Sequence, residues 1–301
     1  MQTPIVAASD EAYAPHFAAL LHSLAIHCKG QKLWFFDCGL KRSTKDLLLQ
    51  FARRLGTDLQ WQHVDLGALA RFPVPARLSS AAYARILIPE LLPDDVEQVL
   101  YLDVDCIVAG DLSPLLEIDL GSLLLAGVPN PGGRETEGPD MPDYVNTGVM
   151  LMNLTAWRQE GVAAKVVKNK TEHLSWFVDQ PAINLVAAGR KMLLGSEWNL
   201  MTGEAARPDW RELLPATVPK IVHFTGSSKP SLYSDVVLGE IYRVHREATP
   251  FPLPPLRGER NPLRVALYVA LRRKGYLQRH QFDRYFRRSF VEPYLAKLTS
   301  A

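Results

Sequence analysis

Short apolar runs alternate with stretches of helical period through the first 105 residues, and that alternation leaves few architectures open. Residues 4–8, 32–36, 58–64 and 98–102 read as strands. Between them, residues 13–27 carry Phe17, Leu20, Leu21 and Leu24 at helical spacing, and Ser43 stands where it can cap a helix holding Leu47, Leu48, Phe51 and Leu55. Residues 79–92 read as a helix carrying Arg85. The alternation predicts an α/β fold, a mostly parallel sheet with helices on both faces. Residues 144–154 continue as a strand, with Thr155 as the cap of a helix running toward Val167. Asp179 can cap another helix through Leu185, with Pro181 tolerated in its first turn, and residues 221–224 form a late strand.

The run Gln98-Val99-Leu100-Tyr101-Leu102 ends in two carboxylates one residue apart, Asp103 and Asp105. In open α/β sheets ligands sit beyond the carboxyl ends of strands, where two such carboxylates can share one hard divalent cation. Residues 129–143 hold four prolines and three glycines, which predicts a long loop of the kind that works as a lid or binding loop. Three cysteines (Cys28, Cys38, Cys106) fit no zinc spacing and read as reduced thiols of a cytoplasmic protein. No signal peptide is evident, and no stretch approaches the roughly 20 apolar residues that span a bilayer.

The net charge of +2 conceals an asymmetry. Residues 257–301 hold 11 Lys and Arg against 3 Asp and Glu, leaving 23 basic and 29 acidic residues before them. A stiff proline-rich stretch, residues 249–256, separates the two parts. The division predicted is therefore a body of residues 1–248, a linker, and a helical basic tail of residues 257–301. That tail interleaves arginines with Leu263, Val265, Tyr268, Phe282, Tyr285, Phe286 and Phe290, a composition suited to helices lying on an anionic membrane surface. The alternative is a helical subdomain packed on the body. The acidity of the body and the lack of a recognition module argue against nucleic acid.

Taken alone, the Asp-x-Asp fits either a metal site for a nucleotide diphosphate or a haloacid-dehalogenase-type phosphatase. Against the second, Ile107 stands where that family has Thr, and three strands precede the motif. The other motifs decide. Ala7-Ala8-Ser9-Asp10 with Tyr13, Ala82-Tyr83-Ala84-Arg85, the run into Asp105, Val145-Asn146-Thr147-Gly148 through Leu154 with Trp157, Asp179-Gln180 with Asn184, Trp198-Asn199, and His223-Phe224-Thr225-Gly226 with Lys229-Pro230 follow in order over residues 3–231. Together they resemble the retaining glycosyltransferases of family 8, which include bacterial lipopolysaccharide galactosyl- and glucosyltransferases.

The resemblance implies a glycosyltransferase A-type, Rossmann-like domain that uses a UDP-sugar donor, a saccharide or glycolipid acceptor, and Mn²⁺ or, in its place, Mg²⁺. It assigns the cation to Asp103, Asp105 and His223, a set of oxygens and one imidazole that suits a metal of intermediate hardness. Ala8, Asp10 and Tyr13 take the uridine, and Val104 offers its backbone to the ribose. Arg85 reaches the donor sugar and diphosphate, and Asn146 is among the residues that bind the donor. Gly226 allows close backbone approach to the diphosphate, and Lys229 supplies a point charge to it. Asp179 bonds sugar hydroxyls, and Gln180 lies near the anomeric carbon. A glutamine amide is a poor nucleophile, which favours front-face substitution over double displacement. Three positions depart from the family pattern: Pro181 replaces a frequent Asp, Ala12 a frequent polar residue, and Asn130 a frequent sugar-contacting Asp. Pro181 keeps a catalytically silent sugar-nucleotide-binding protein among the readings. The enzyme reading places the protein in the cytoplasm, peripheral on the inner face of the plasma membrane.

Overall fold

A computed structural model describes residues 3–65, 84–132, 141–173, 179–226, 229–231, 236–254 and 273–299. The chain forms two compact units whose sequences interleave. The first takes Met1–Phe17, Cys28–Val104 and Asp111–Leu194, and the second takes Ala18–His27, Asp105–Gly110 and Gly195–Ala301.

The first unit is built on a seven-stranded sheet in the order β3-β2-β1-β4-β7-β6-β8. Its strands are β1 (Ile5–Ser9), β2 (Leu33–Asp37), β3 (Leu59–His63), β4 (Gln98–Leu102), β6 (Leu125–Pro129), β7 (Val145–Asn153) and β8 (Lys191–Leu193). All run one way except β7, which is antiparallel to both β4 and β6. The strands predicted from the pattern are present within a residue or two. The order 3-2-1-4 makes a topological switch between β1 and β4, the place where open α/β sheets receive ligands. The apolar runs explain the sheet's burial: all five residues of β1 are buried, and eight of the nine in β7. On one face Val6, Val99, Tyr101, Met150 and Met152 pack in a core with Trp157, Val166, Ile183 and Ala187.

Several helix boundaries differ from the sequence reading. The helix α1 (Ala14–His27) begins after a 3₁₀ turn, Glu11–Tyr13, that Asp10 caps by accepting from the Tyr13 amide at 3.1 Å. The helix α2 (Arg42–Leu55) is capped by no Ser43 side chain; Ser43 lies inside it. Glu11 serves this end instead, accepting from the Lys41 amide at 3.0 Å and the Thr44 hydroxyl at 2.9 Å. Arg85 sits in a 3₁₀ turn, Arg85–Leu87, that leads into the short helix α3 (Ile88–Leu91), so the single helix expected over 79–92 is replaced by a tighter piece, with residues 79–83 outside the described set. After α4 (Ser113–Leu116), the helix expected after Thr155 is two: α5 (Leu154–Glu160) and α6 (Val162–His173). Gly161 ends the first at φ +60°, and the cap is Asn153, whose side chain accepts from the Ala156 amide at 3.0 Å. Glycine tolerates that left-handed backbone, and a carboxamide caps as well as a hydroxyl does. The helix α7 (Asp179–Val186) carries Asp179 as its first residue. Most of the predicted 129–143 loop, residues 133–140, lies outside the described residues.

The second unit has a three-stranded sheet, β5 (Cys106–Val108), β10 (Ile221–His223) and β9 (Leu200–Met201), in that order. Here α8 (Gly239–Glu247), α9 (Arg273–Phe286) and α10 (Glu292–Thr299) join an apolar core of Trp210, Phe224, Ile241, Tyr242, Phe282, Phe286, Phe290 and Tyr294. A single π turn, Arg287–Val291, joins α9 to α10. Phe282, Phe286, Phe290 and Tyr294 of the tail thus pack inward, while Tyr285 stays exposed. The start of the proline stretch is held as well: the Arg246 guanidinium donates to the Phe251 carbonyl at 2.7 Å and the Pro252 carbonyl at 2.8 Å. Among the described residues no helix is long and apolar enough to cross a membrane.

Candidate active site

In the first unit, β4 delivers Asp103 to the carboxyl edge of the sheet, and Arg85 collects the groups around it. The guanidinium donates to Asp103 Oδ1 at 2.8 Å and to the Thr147 carbonyl at 2.8 Å, and pairs with Asp179 Oδ2 at 2.9 Å. It also lies over the Tyr101 ring, 4.8 Å from its centroid. At 7% exposure Arg85 is no ordinary surface arginine; it is a buried cation held by two carboxylates and a ring face. Tyr101 donates its hydroxyl to the same Asp103 oxygen at 2.8 Å. Burial pushes that phenol well above its usual range, so it remains a neutral donor.

Next to this cluster, β7 and α7 bring Asn146 and Gln180 together. Gln180 Oε1 accepts from the Thr147 amide at 3.0 Å and from Asn146 Nδ2 at 3.2 Å, while its Nε2 donates toward the Tyr144 hydroxyl at 3.4 Å. Asn184, fully buried one turn further along α7, ties the helix to β7: its Oδ1 accepts from the Val145 amide at 2.8 Å and its Nδ2 donates to the Val145 carbonyl at 2.9 Å. At the neighbouring strand end, Ala8 is buried at the end of β1, and Asp10 is spent as the cap of the 3₁₀ turn. Tyr13 is half-buried with its ring 5.1 Å from that of His16. Val104 is buried, and Asn130 is buried at the end of β6.

In the second unit a different group centres on Asp105. His223 Nε2 lies 3.2 Å from Asp105 Oδ1, and Lys229 Nζ pairs with Asp105 Oδ2 and donates to the Phe224 carbonyl at 2.8 Å. His223 Nδ1 faces Asn199 Oδ1 at 3.1 Å. The Asn199 contact orients the ring and turns Nε2 toward the Asp105 carboxylate, where the two can share a metal ion. Burial by itself raises the Asp105 carboxyl, but His223 and Lys229 outweigh it and hold it well below the usual carboxylate range. Asp105, Cys106 and His223 each offer a donor atom within 4.8 Å of the others, so carboxylate, thiol and imidazole together fit a divalent cation. Cys106 is directly opposite His223 in the β5–β10 pair, which puts both side chains on one face. Gly226, at φ +87°, takes a backbone turn that side chains resist, just before Lys229.

Tyr101, Thr147 and Cys106 were not singled out by sequence reasoning. Tyr101 and Thr147 stand within or beside quoted motifs, but nothing in a single sequence says that a strand tyrosine bonds the aspartate two residues on.

The match to a family model decides what these groups belong to. The model of glycosyl transferase family 8 matches residues 4–233. The chain belongs to glycosyl transferase family 8. Among curated relatives, General stress protein A of Bacillus subtilis is 28% identical over 251 residues, covering 75% of this chain and 86% of that protein. Glycosyltransferase GlyF of Streptococcus pneumoniae is 26% identical over 255 residues, covering 82% of this chain and 62% of that one. Among solved structures, the galactosyltransferase LgtC in complex with donor and acceptor sugar analogues superposes with a TM-score of 0.73 at 22% identity, over 83% of this chain and 97% of that one. The glycosyltransferase GlyE of Streptococcus pneumoniae gives 0.65 at 24% identity, over 82% and 60%. The fold is therefore the glycosyltransferase A type, and this family 8 member is a glycosyltransferase enzyme.

Proposed function

We propose that this glycosyltransferase moves galactose or glucose from a UDP-sugar to a saccharide or lipid-linked acceptor, with retention of configuration and with Mn²⁺, or Mg²⁺ in its place. The observation that carries the reading is the Asp105 carboxylate between His223 Nε2 and Lys229, with the imidazole oriented by Asn199. Asp103, two residues earlier on the chain, completes the proposed ligand set of Asp103, Asp105 and His223. When bound, the cation would neutralise charge growing on the leaving diphosphate.

The remaining roles fall to the chain itself. Lys229 exchanges its pairing with Asp105 for the donor's diphosphate, beside the open backbone of Gly226. Arg85 orients Asp103 and Asp179 and is poised to bond the donor's sugar and phosphate oxygens. Ala8, Asp10 and Tyr13 line the uridine position at the switch point, with Val104 at the ribose and Asn146 at the sugar. Asp179 bonds hydroxyls of the donor sugar. Gln180 Oε1 accepts from the Thr147 amide, from Asn146 Nδ2 and, at 3.5 Å, from the Thr147 hydroxyl, so its lone pairs are engaged. This supports front-face substitution, with Gln180 as a polar shield rather than a nucleophile.

We assign catalysis to residues 1–248, with residues 249–256 as linker. The tail contributes an anionic-surface contact through Arg284, Tyr285 and Arg288, all exposed. The protein would work in the cytoplasm at the inner face of the membrane.

The test is calorimetric titration of UDP into the protein with Mn²⁺ present. Binding in the wild type and its loss in Asp105→Asn, with the circular dichroism spectrum unchanged, is the expected result. UDP binding that is equally tight in the variant, or absent from the wild type, overturns the donor and metal assignment.

A further inference from the structure

Lys191, on β8, is a lysine whose side chain is 0% exposed. An ammonium is strongly hydrated and mostly exposed in proteins, so its burial at a sheet edge needs partners that repay desolvation. Four surround it. Nζ lies 3.1 Å from Asn184 Oδ1, 3.1 Å from the Asn184 carbonyl, 3.3 Å from Asp143 Oδ2 and 3.9 Å from Met141 Sδ. Asp143 Oδ2 also accepts from the Gly189 amide at 3.0 Å, on the turn between α7 and β8. Burial lowers the Lys191 ammonium from its usual range, and Asp143 opposes the shift.

The residue it grips most closely is the one that fixes α7. Asn184 Oδ1 is shared between Lys191 and the Val145 amide, and Asn184 Nδ2 donates to the Gln180 carbonyl at 3.0 Å. Two hydrogen-bonded steps therefore lead from the ammonium to the backbone of Gln180. The same cation holds Asp143, the residue at which the chain returns from the 129–143 stretch to enter β7. We propose that Lys191 is a positioning residue for the transfer reaction: it locks the Asn184 amide and Asp143 so that α7 and the start of β7 present Gln180 and Asn146 in one register. The inference rests on the reading of Gln180 as the group beside the anomeric carbon. With its side chain closed off from solvent, Lys191 acts through Asn184.

A methionine nearly reproduces the lysine's length and leaves Asn184 Oδ1 and Asp143 without their cation. Arginine keeps the charge. Lys191→Met, Lys191→Arg, Gln180→Ala and the Lys191→Met/Gln180→Ala double variant would be assayed with UDP-galactose and UDP-glucose as donors, in the presence of Mn²⁺. Turnover, calorimetric UDP affinity and melting temperature would be read on each. Expected is a kcat at least tenfold lower in Lys191→Met at a UDP Kd within twofold of wild type, partial recovery in Lys191→Arg, and a double variant no slower than Gln180→Ala alone. A Lys191→Met enzyme with wild-type kcat overturns the proposal. So does one whose kcat and UDP affinity fall together in proportion to the folded fraction, since that is a structural effect alone. An unimpaired Gln180→Ala instead sinks the reading beneath it, and the two failures are thereby told apart.

Discussion

In the second unit, His245 is fully buried on α8 and sits in the middle of a hydrogen-bonded chain. Its Nδ1 is 2.9 Å from His22 Nδ1, and its Nε2 is 2.7 Å from the Tyr294 hydroxyl, which in turn lies 3.1 Å from His27 Nε2. Neutral rings satisfy all three contacts in either of two directions. Donation runs from His27 to Tyr294 to His245 to His22, or in reverse from His22 to His245 to Tyr294 to His27. A proton on His245 would make both its ring nitrogens donors and break either order, in a site where burial, and then Lys220 and Lys297, already disfavour a cation at His27. Burial, followed by His22 and His27, lowers the His245 pKa from 6.5 to about 3. The sign follows directly. The folded state keeps His245 neutral, whereas the unfolded chain takes up a proton below pH 6.5, so stability is full above that value and falls as the pH drops toward 3. The loss is about 1.4 kcal/mol per pH unit, hence about 2 kcal/mol at pH 5 from this residue alone. Any folded-state value below about 4 gives the same loss at pH 5, because the native ring is still neutral there. His22 is lowered in the same direction by burial and adds to the effect. The assay is urea denaturation at pH 7.5, 6.5, 5.5 and 5.0, read by hydrogen exchange in α8 and α10, for wild type and His245→Gln. At pH 7.5 the variant should be the less stable through its lost hydrogen bonds, and that gap should close by about 2 kcal/mol by pH 5. A gap constant to within about 0.5 kcal/mol between pH 7.5 and 5.0 would refute the reasoning.

Replacing Arg85 with Met should destabilise the first unit by about 3 kcal/mol, since the buried Asp179 and the partly buried Asp103 are left without their cation; thermal unfolding that matches wild type would show the cluster to be unimportant for folding. Asn199→Ala should weaken Mn²⁺-dependent UDP binding about tenfold or more by freeing the His223 ring, and unchanged calorimetric affinity would remove Asn199 from that role. Chelation with EDTA should abolish transfer and added Mn²⁺ should restore it, whereas activity that persists in EDTA argues for a metal-independent enzyme. Arg284→Glu with Arg288→Glu should lower co-sedimentation with phosphatidylserine vesicles at low salt; equal pelleting of variant and wild type would take those residues out of any membrane contact.

The periodicity of the chain was enough to place β1, β2, β3, β4 and β7, because an apolar run between helical stretches has few uses other than a buried strand, but it did not mark β6 or β8. The order of motifs was enough to name the family, and the spacing at 103–105 marked a strand end with chemistry. Helix ends were less legible. Glu11 reaches across to α2, and Asn153 rather than Thr155 caps α5, because a cap is a side-chain geometry that several neighbouring residues could supply. The tail shows the same limit at larger scale. Arginines interleaved with phenylalanines describe an amphipathic helix equally well on a membrane or on a protein, and only the packing of Phe282, Phe286 and Phe290 around Trp210 and Tyr242 shows which way the aromatic face turns. Partners distant in sequence were invisible altogether. Arg85 meets Asp103 and Asp179, and Lys191 meets Asn184 and Asp143, through crossovers that bring strand ends and helix starts together. A single sequence records which side chains carry charge, but a buried charge acquires its partners, and so its role, only when the chain closes around it.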